Sequence, residues 1–318
     1  MRITATFLDE ITWDIPHQNW GPAEWDRDFA AMIKMGIDTV VLIRSGLARW
    51  LAYPGRYLHE KQGCAMPELD LIDLFLTLAE KHGMRFFCGT YVSQFYLGNG
   101  QPEKELEADL KSAEEVWRLY GGRKAFRGWY LSHEFSGRDD AIVALQAALG
   151  RRCKELSGGL PVLMSPFIRG RKEGNAWNPA VLNGRESIDP AEHRKVWGGI
   201  LDQLKGAVDI VAFQDGHTDY FELETYLRIN RELCDRYGME SWTNCESFDR
   251  DMPIKFLPIH WEKMLYKLRA AERAGFTEAI TFEFSHFMSP NSMYPSAHGL
   301  YDRYCEYFGL DARSADFK

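Results

Sequence analysis

Eight short apolar runs alternate with amphipathic segments along this 318-residue chain, and that rhythm restricts the fold more than any other feature. The stretch Asp38-Thr39-Val40-Val41-Leu42-Ile43-Arg44 is continuously apolar between its ends, the pattern of a strand covered on both faces. Pro22 to Met35 instead sets Trp25, Phe29, Met32 and Ile33 at helical spacing and stops at Gly36. Read this way, strands fall over 3–10, 38–44, 84–92, 126–134, 161–166, 209–214, 240–246 and 278–285. Helices fall over 22–35, 68–82, 103–120, 139–156, 189–205, 219–237, 258–274 and 299–308. Apolar strands alternating with helices imply parallel strands joined by crossover helices, and eight such units favour closure over an open sheet. No Gly-x-Gly-x-x-Gly follows the first strand and no Gly-x-x-x-x-Gly-Lys occurs, so dinucleotide-binding and P-loop sheets lose support. The expectation is an α/β fold, a single (β/α)8 TIM barrel with long carboxyl-end loops, occupying residues 1–318 as one domain.

Composition narrows the partners. A chain with 45% hydrophobic residues can bury one large core, and its 46 acidic against 38 basic residues leave a net charge of −8. That balance argues against nucleic acid, because non-specific affinity for a phosphate backbone rests on Lys and Arg releasing counterions. The opening residues run directly into a strand with no secretory signal pattern, and no apolar stretch approaches a membrane span, so a cytoplasmic protein without a membrane partner is expected. The six cysteines lack Cys-x-x-Cys spacing and read as reduced thiols. Nothing in the sequence fixes an oligomeric state.

The carboxyl ends of the strands hold the chemistry. There lie Asp9 and Glu10, Arg44, Tyr91, His133 and Glu134, Gln214, Asp215 and His217, Asn244 and Glu246, then Glu283 and His286. In a barrel of this kind the active site opens on that face, and polar groups at the ends of apolar runs are costly when buried without partners. Residues two apart share a strand face. Gly128, Tyr130, Ser132 and Glu134 therefore form one set, Trp242, Asn244 and Glu246 another, and Thr281, Glu283 and Ser285 a third. The alternate positions Trp129, Leu131, Phe282 and Phe284 are apolar and suit the helix-covered outside, so all three glutamates are expected to point inward, with Trp242 at the floor of the pocket.

Two inward carboxylates on opposite walls can divide the cleavage of an acetal: one protonates the leaving oxygen and the other attacks or stabilises the anomeric carbon. Glu134 and Glu246 are the candidate pair, with negative charge from Asp215 and Glu283 expected to keep Glu134 protonated. A carboxyl separation of about 5–5.5 Å would mean retention and roughly 6.5–9.5 Å inversion. This chemistry needs no cofactor or metal, and a carbohydrate is the expected partner. Glutamates on strands four and seven resemble the large clan of retaining glycoside hydrolases, which implies Glu134 as acid/base and Glu246 as nucleophile. The chain departs from that clan in placing His133 before Glu134, where the clan usually has Asn.

A closer resemblance covers nearly the whole chain. Thr6-Phe7-Leu8-Asp9-Glu10, His17-Gln18-Asn19-Trp20, Gly128-Trp129-Tyr130 with His133-Glu134, Ala212-Phe213-Gln214-Asp215-Gly216 and Thr281-Phe282-Glu283-Phe284-Ser285-His286-Phe287 look like the bacterial family catalogued as domain of unknown function 4434. That resemblance implies a glycosyl-hydrolase-like barrel.

The long connections after strands two, five and eight (about 45–67, 168–188 and 286–298) are expected to wall one pocket, with sugar-stacking rings drawn from Trp50, Tyr53, Trp177 and Tyr294. Trp20, Tyr57, Tyr96 and Phe248 also fall in or beside carboxyl-end loops. The basic run Ile168-Arg169-Gly170-Arg171-Lys172-Glu173 reads either as a solvated charge run or as a mark of an anionic substrate group. The rival enzyme class is a metal-dependent sugar isomerase or epimerase using Glu134, Asp215, His217, Glu246 and Glu283 as ligands, although no His-x-His or His-x-x-x-His spacing is present. The third is a carbohydrate-binding barrel without catalysis.

Overall fold

In the computed structural model, which describes residues 1–13, 15–174, 187–250 and 256–311, eight parallel strands close on themselves. They are β1 (Ala5–Leu8), β2 (Thr39–Leu42), β3 (Arg85–Gly89), β4 (Phe126–Leu131), β5 (Val162–Met164), β6 (Ile210–Gln214), β7 (Glu240–Asn244) and β8 (Glu278–Thr281). Neighbours in sequence are neighbours in the sheet, and β8 closes it against β1 with Ala5 opposite Ile280 and Thr6 opposite Thr281. The principal helices are α1 (Pro22–Met35), α2 (Leu71–His82), α3 (Pro102–Tyr120), α4 (Asp140–Ser157), α5 (Pro190–Leu204), α6 (Tyr220–Tyr237), α7 (Trp261–Arg273) and α8 (Pro295–Phe308). The strands are shorter than the apolar runs that announce them. Their last residues belong to loop backbone already leaving the ladder, which is why Glu134 and Glu246 lie just beyond β4 and β7.

Local chemistry explains the boundaries. Pro22 opens α1, where its fixed φ suits a first helical turn, and Gly36 at φ 91° closes it. Asp70, Asp139 and Asp189 accept hydrogen bonds from backbone N–H groups in the first turns of α2, α4 and α5, satisfying donors that would otherwise be orphaned. No helix among the described residues is long and apolar enough to cross a membrane.

Two apolar layers hold the barrel. The larger lies between sheet and helices and includes Trp25, Phe75, Trp129 and Trp197. The second fills the interior: Ala5, Phe7, Val41, Ile43, Phe87, Tyr130, Leu163, Ile210, Ala212, Trp242 and Ile280, with Phe282 packed against them. Trp242 is thus inward, as alternation predicts. It sits within this interior packing, its ring 6.5 Å from Phe87, and does not line the pocket above. On β8 the inward residues are Ile280 and Phe282, one position out of step with the sequence expectation for Thr281 and Glu283.

Gly128 sits directly opposite Phe87 where the β3–β4 register shifts, and a Cβ there would lie 2.1 Å from the Phe87 ring. Overfilling a packed interior costs about 1–3 kcal/mol. Gly128→Ala should lower the urea midpoint accordingly. Gly199→Ala on α5, with nothing within 4 Å of the added carbon, should be neutral or slightly stabilising. Equal stability of the two variants would contradict this packing.

Candidate active site

Above the interior packing, a cavity of about 120 Å³ opens at the carboxyl ends of the strands, lined by Asp9, Arg44, Tyr130, Glu134, Gln214, Asn244, Glu246 and Arg250 among polar groups. Its apolar lining comes from Phe7, Ile15, Ile43, Phe248, Phe256 and Phe282. The walls therefore rise from the loops after β1 and β7. The aromatic residues expected from the longer loops lie elsewhere. Tyr53 is buried against Tyr120 and hydrogen-bonded to Ser112, Trp50 is 52% exposed beneath the Arg49 guanidinium, and Tyr294 stacks on Phe287. Trp177 lies outside the described residues. Among the described aromatic candidates, Phe248 alone lines the cavity.

Strand alternation decides which strand-end residues face inward. On β1, Ala5 and Phe7 are inward and Asp9 continues that face into the cavity, whereas Glu10 turns away to meet His17 at 3.1 Å. On β4, Tyr130 and Glu134 face the cavity, while His133 turns into the helical layer and bonds Asp109 of α3 at 2.8 Å. Beyond β8, Glu283 is fully buried away from the cavity. Its carboxylate accepts from the N–H groups of Ser285 and His286 at the start of the short helix Phe284–Phe287 and pairs with the His286 ring. Glu283 does not neighbour Glu134, so the expected arrangement of Glu283 and His286 as ligand contacts is corrected: both belong to a buried network behind the barrel. Tyr91 is corrected likewise, since its hydroxyl donates to the Ala48 carbonyl and clamps the loop after β2.

Glu246 is held by cations. Arg250 donates to both of its oxygens at 2.8 Å, and Lys267 donates to its backbone carbonyl at 2.6 Å while pairing with Asp215 at 2.8 Å. Asp215 in turn accepts the Glu246 backbone N–H at 3.1 Å, so it acts beneath Glu246 instead of beside Glu134. The arrangement needs a glycine at 216, where a Cβ would stand 1.8 Å from Glu246 Oε2. His217 is buried next door with its ring against Phe167. Burial alone would push the Glu246 carboxyl up, but the charge and hydrogen bonds of Arg250, aided by Lys267 and His217, hold it below the ordinary carboxylate range.

Glu134 is displaced the other way. Its side chain is 35% exposed and lies 3.7 Å from Arg44. Desolvation by the cavity walls pushes its carboxyl up; Arg44 and Arg250 pull it down, Glu246 and Asp9 add to the rise, and the net direction is upward. The like charges on Glu134 are thus Glu246 and Asp9, in place of the expected Asp215 and Glu283. Two carboxylates facing one cavity are tuned apart, the arrangement that separates a proton donor from an anion.

The remaining polar lining is short of partners. Arg44 Nε, the Tyr130 hydroxyl and Asn244 Oδ1 are buried without a hydrogen-bond partner among the described residues. Leaving such groups dry and unpaired is costly, so the cavity is suited to a ligand rich in hydroxyls. Ser165 orients two neighbours: its hydroxyl accepts from Asn244 at 3.0 Å and its carbonyl from Gln214 at 2.7 Å. The carboxylates proposed as ligands for an isomerase metal do not converge. Glu246 is bound by Arg250, Asp215 by Lys267 and Glu283 by His286. The basic run after β5 packs on α6, with Arg171 over Phe221 and Lys172 over Tyr220, which is the solvated-face reading. Arg250 and Lys267 carry no signal in the sequence because they lie in the loop and helix beyond β7, past the ends of the barrel strands.

The sequence model of a family described as "Domain of unknown function (DUF4434)" matches residues 3–294. No curated protein matches the chain. A crystal structure from Bacteroides thetaiotaomicron, described as a "putative alpha-L-fucosidase", is 50% identical, covers 98% of this chain and 94% of its own, and superposes with a TM-score of 0.91. An endo-β-1,4-mannanase from Thermotoga petrophila is 13% identical over 98% of this chain and 78% of its own, with a TM-score of 0.60. A glycoside hydrolase family 5 protein from Bacteroides vulgatus is 12% identical over 89% of this chain and 59% of its own, with a TM-score of 0.58. At such identities the last two show a shared fold.

The network behind β1 and β8 sets the pH dependence of stability. Burial pushes the Glu10 carboxyl up to about 8, and Glu283 with Glu10 outweighs burial to raise the His286 imidazole to about 9. Both groups hold protons in the folded chain that the unfolded chain has released, so their stabilisation is full below the unfolded values and is lost as pH rises through the folded ones. The denaturation midpoint should therefore decline from about pH 5 to about pH 9, and Glu10→Gln should flatten the decline. An unchanged slope in Glu10→Gln would refute the assignment.

Proposed function

The chain belongs to the DUF4434 family, and we propose that its barrel is a retaining glycoside hydrolase in which Glu134 is the general acid/base and Glu246 the nucleophile. The observation that carries this reading is the geometry of two carboxylates lining one cavity with Arg250 forked onto both oxygens of Glu246, and the opposite displacement of the two carboxyls supports it. In the first step Glu134 gives its proton to the leaving glycosidic oxygen as a Glu246 oxygen bonds to the anomeric carbon. In the second, Glu134, now ionised, takes a proton from the water that displaces Glu246. A carboxylate has about four lone-pair sites, so Arg250 can hold both oxygens of Glu246 and leave one free to attack. The buried, unpartnered atoms of Arg44, Tyr130 and Asn244 support a sugar ring as the ligand, and Phe7, Ile43 and Phe282 supply an apolar face for its carbons. The description of the Bacteroides thetaiotaomicron relative makes α-L-fucosyl the first glycone to test, and a 6-deoxy methyl group suits that apolar face.

The test is a panel of aryl glycosides led by the α-L-fucoside. Glu246→Gln should abolish turnover. Glu134→Gln should lose about 10²–10⁴-fold on poor leaving groups and much less on activated ones, which need no proton. In the wild type the acid limb of the rate profile should follow Glu246 and the alkaline limb Glu134, so Glu134→Gln should lack the alkaline limb. Wild-type turnover in Glu246→Gln would sink the reading.

A further inference from the structure

His133, turned away from the cavity, enters a second group of titratable side chains that the glycosidase reading does not use. Glu105 and Asp109, one helical turn apart on α3, converge on the same ring nitrogen: His133 Nε2 is 2.8 Å from Asp109 Oδ2 and 3.6 Å from Glu105 Oε1. One donor atom from each residue lies within 4.8 Å of the others, and all three residues are buried. A ring nitrogen carries at most one proton, and here it serves Asp109. Glu105 Oε1, at 3.6 Å, is beyond hydrogen-bond reach.

Two further features point to a cation site. Asp109 is fully buried, and its Oδ1 has no hydrogen-bond partner among the described residues. Two carboxylates facing one imidazole leave excess negative charge in a dry layer even when His133 is protonated, and such charge is costly without a counterion. The surroundings also orient the donors. Ser93 donates its backbone N–H to Glu105 Oε1 at 2.7 Å and its hydroxyl to Oε2, and Gln146 holds the His133 carbonyl at 2.7 Å. Outer-shell hydrogen bonds of this kind are what fixes ligands around an ion.

We propose that Glu105, Asp109 and His133 form a site for one divalent transition-metal ion such as Zn²⁺, with three protein ligands and a fourth position left to water. Tetrahedral zinc with N and O ligands at about 2.0–2.2 Å places ligand atoms roughly 3.3–3.5 Å apart. The 3.6 Å between Glu105 and His133 is close to that spacing, and the 2.8 Å hydrogen bond from His133 to Asp109 would have to open by about half an ångström as the ion replaces the proton. Starting from the imidazolium, binding forms a Zn–Nε2 bond, breaks the Nε2–H···Oδ2 hydrogen bond and releases the Nε2 proton to solvent, leaving a neutral ring that keeps its proton on Nδ1. The ion would tie α3 to the chain at the end of β4, one residue from Glu134.

The test is calorimetric titration of chelator-dialysed full-length protein with Zn²⁺ in two buffers of different ionisation enthalpy, with metal analysis of the dialysed product. The expected result is one ion per chain, proton release on binding, a higher Tm and weaker binding as pH falls. Asp109→Asn and Glu105→Gln should each lose stoichiometric uptake. Glu134→Gln and Glu246→Gln should keep it, which separates this site from the glycosidase reading. No uptake by the wild type, or undiminished uptake by either α3 variant, overturns the proposal. Should one variant fail to fold, the wild-type stoichiometry and the other variant decide.

Discussion

Two carboxylates face one partly dry cavity, and the Arg250 fork on both oxygens of Glu246 decides which of them carries the negative charge. Much of the mouth of the barrel is arranged around this contact. Gly216 makes room for it, Lys267 holds the Glu246 carbonyl from below, and Asp215 receives both Lys267 and the Glu246 N–H. With Glu246 fixed as the anion, its charge helps keep a proton on Glu134 across the cavity. The ion pair therefore supplies the low half of the chemical asymmetry, and burial, against the pull of Arg44 and Arg250, supplies most of the high half.

The layers outside the barrel repeat the theme with other partners. Glu283 and Glu10 meet the His286 ring behind β1 and β8, and Asp109 meets His133 behind β4. These carboxylates are buried as deeply as Glu246 and more deeply than Glu134, and each meets a histidine where the cavity uses arginine or lysine. Polarity at a strand end is therefore shared between two environments, a ligand cavity and the helix-packed exterior, and the parity of the residue along the strand selects between them.

That distinction marks how far the sequence could be read. The eightfold alternation specified the barrel, and α1 was bounded correctly by Pro22 and Gly36 because those residues have definite backbone preferences. Inwardness was legible on β4, where Trp129 and Leu131 mark the outer face, and it held on β7 through the parity of Trp242, Asn244 and Glu246. It failed on β8: Phe282 looked like an outer residue, yet it lines the cavity, while Glu283 is buried by capping the helix that follows. A helix-capping carboxylate and a catalytic one look alike without the backbone. The aromatic walls failed for a related reason, since loop length did not reveal that Tyr53 and Tyr294 pack on other rings. Arg250 carried no signal, being four residues past Glu246 in a loop whose path only the fold defines.

The central claim is that Glu134 holds a proton which Glu246 has lost. Carbon-13 NMR titration of glutamate-labelled protein, with Glu134→Gln and Glu246→Gln as assignments, measures that difference directly. The account predicts that Glu246 titrates below the ordinary carboxylate range and Glu134 above it, with the Glu134 value falling when Glu246→Gln removes the neighbouring charge. Titration of both carboxyls at the ordinary value, or in the reverse order, would contradict it.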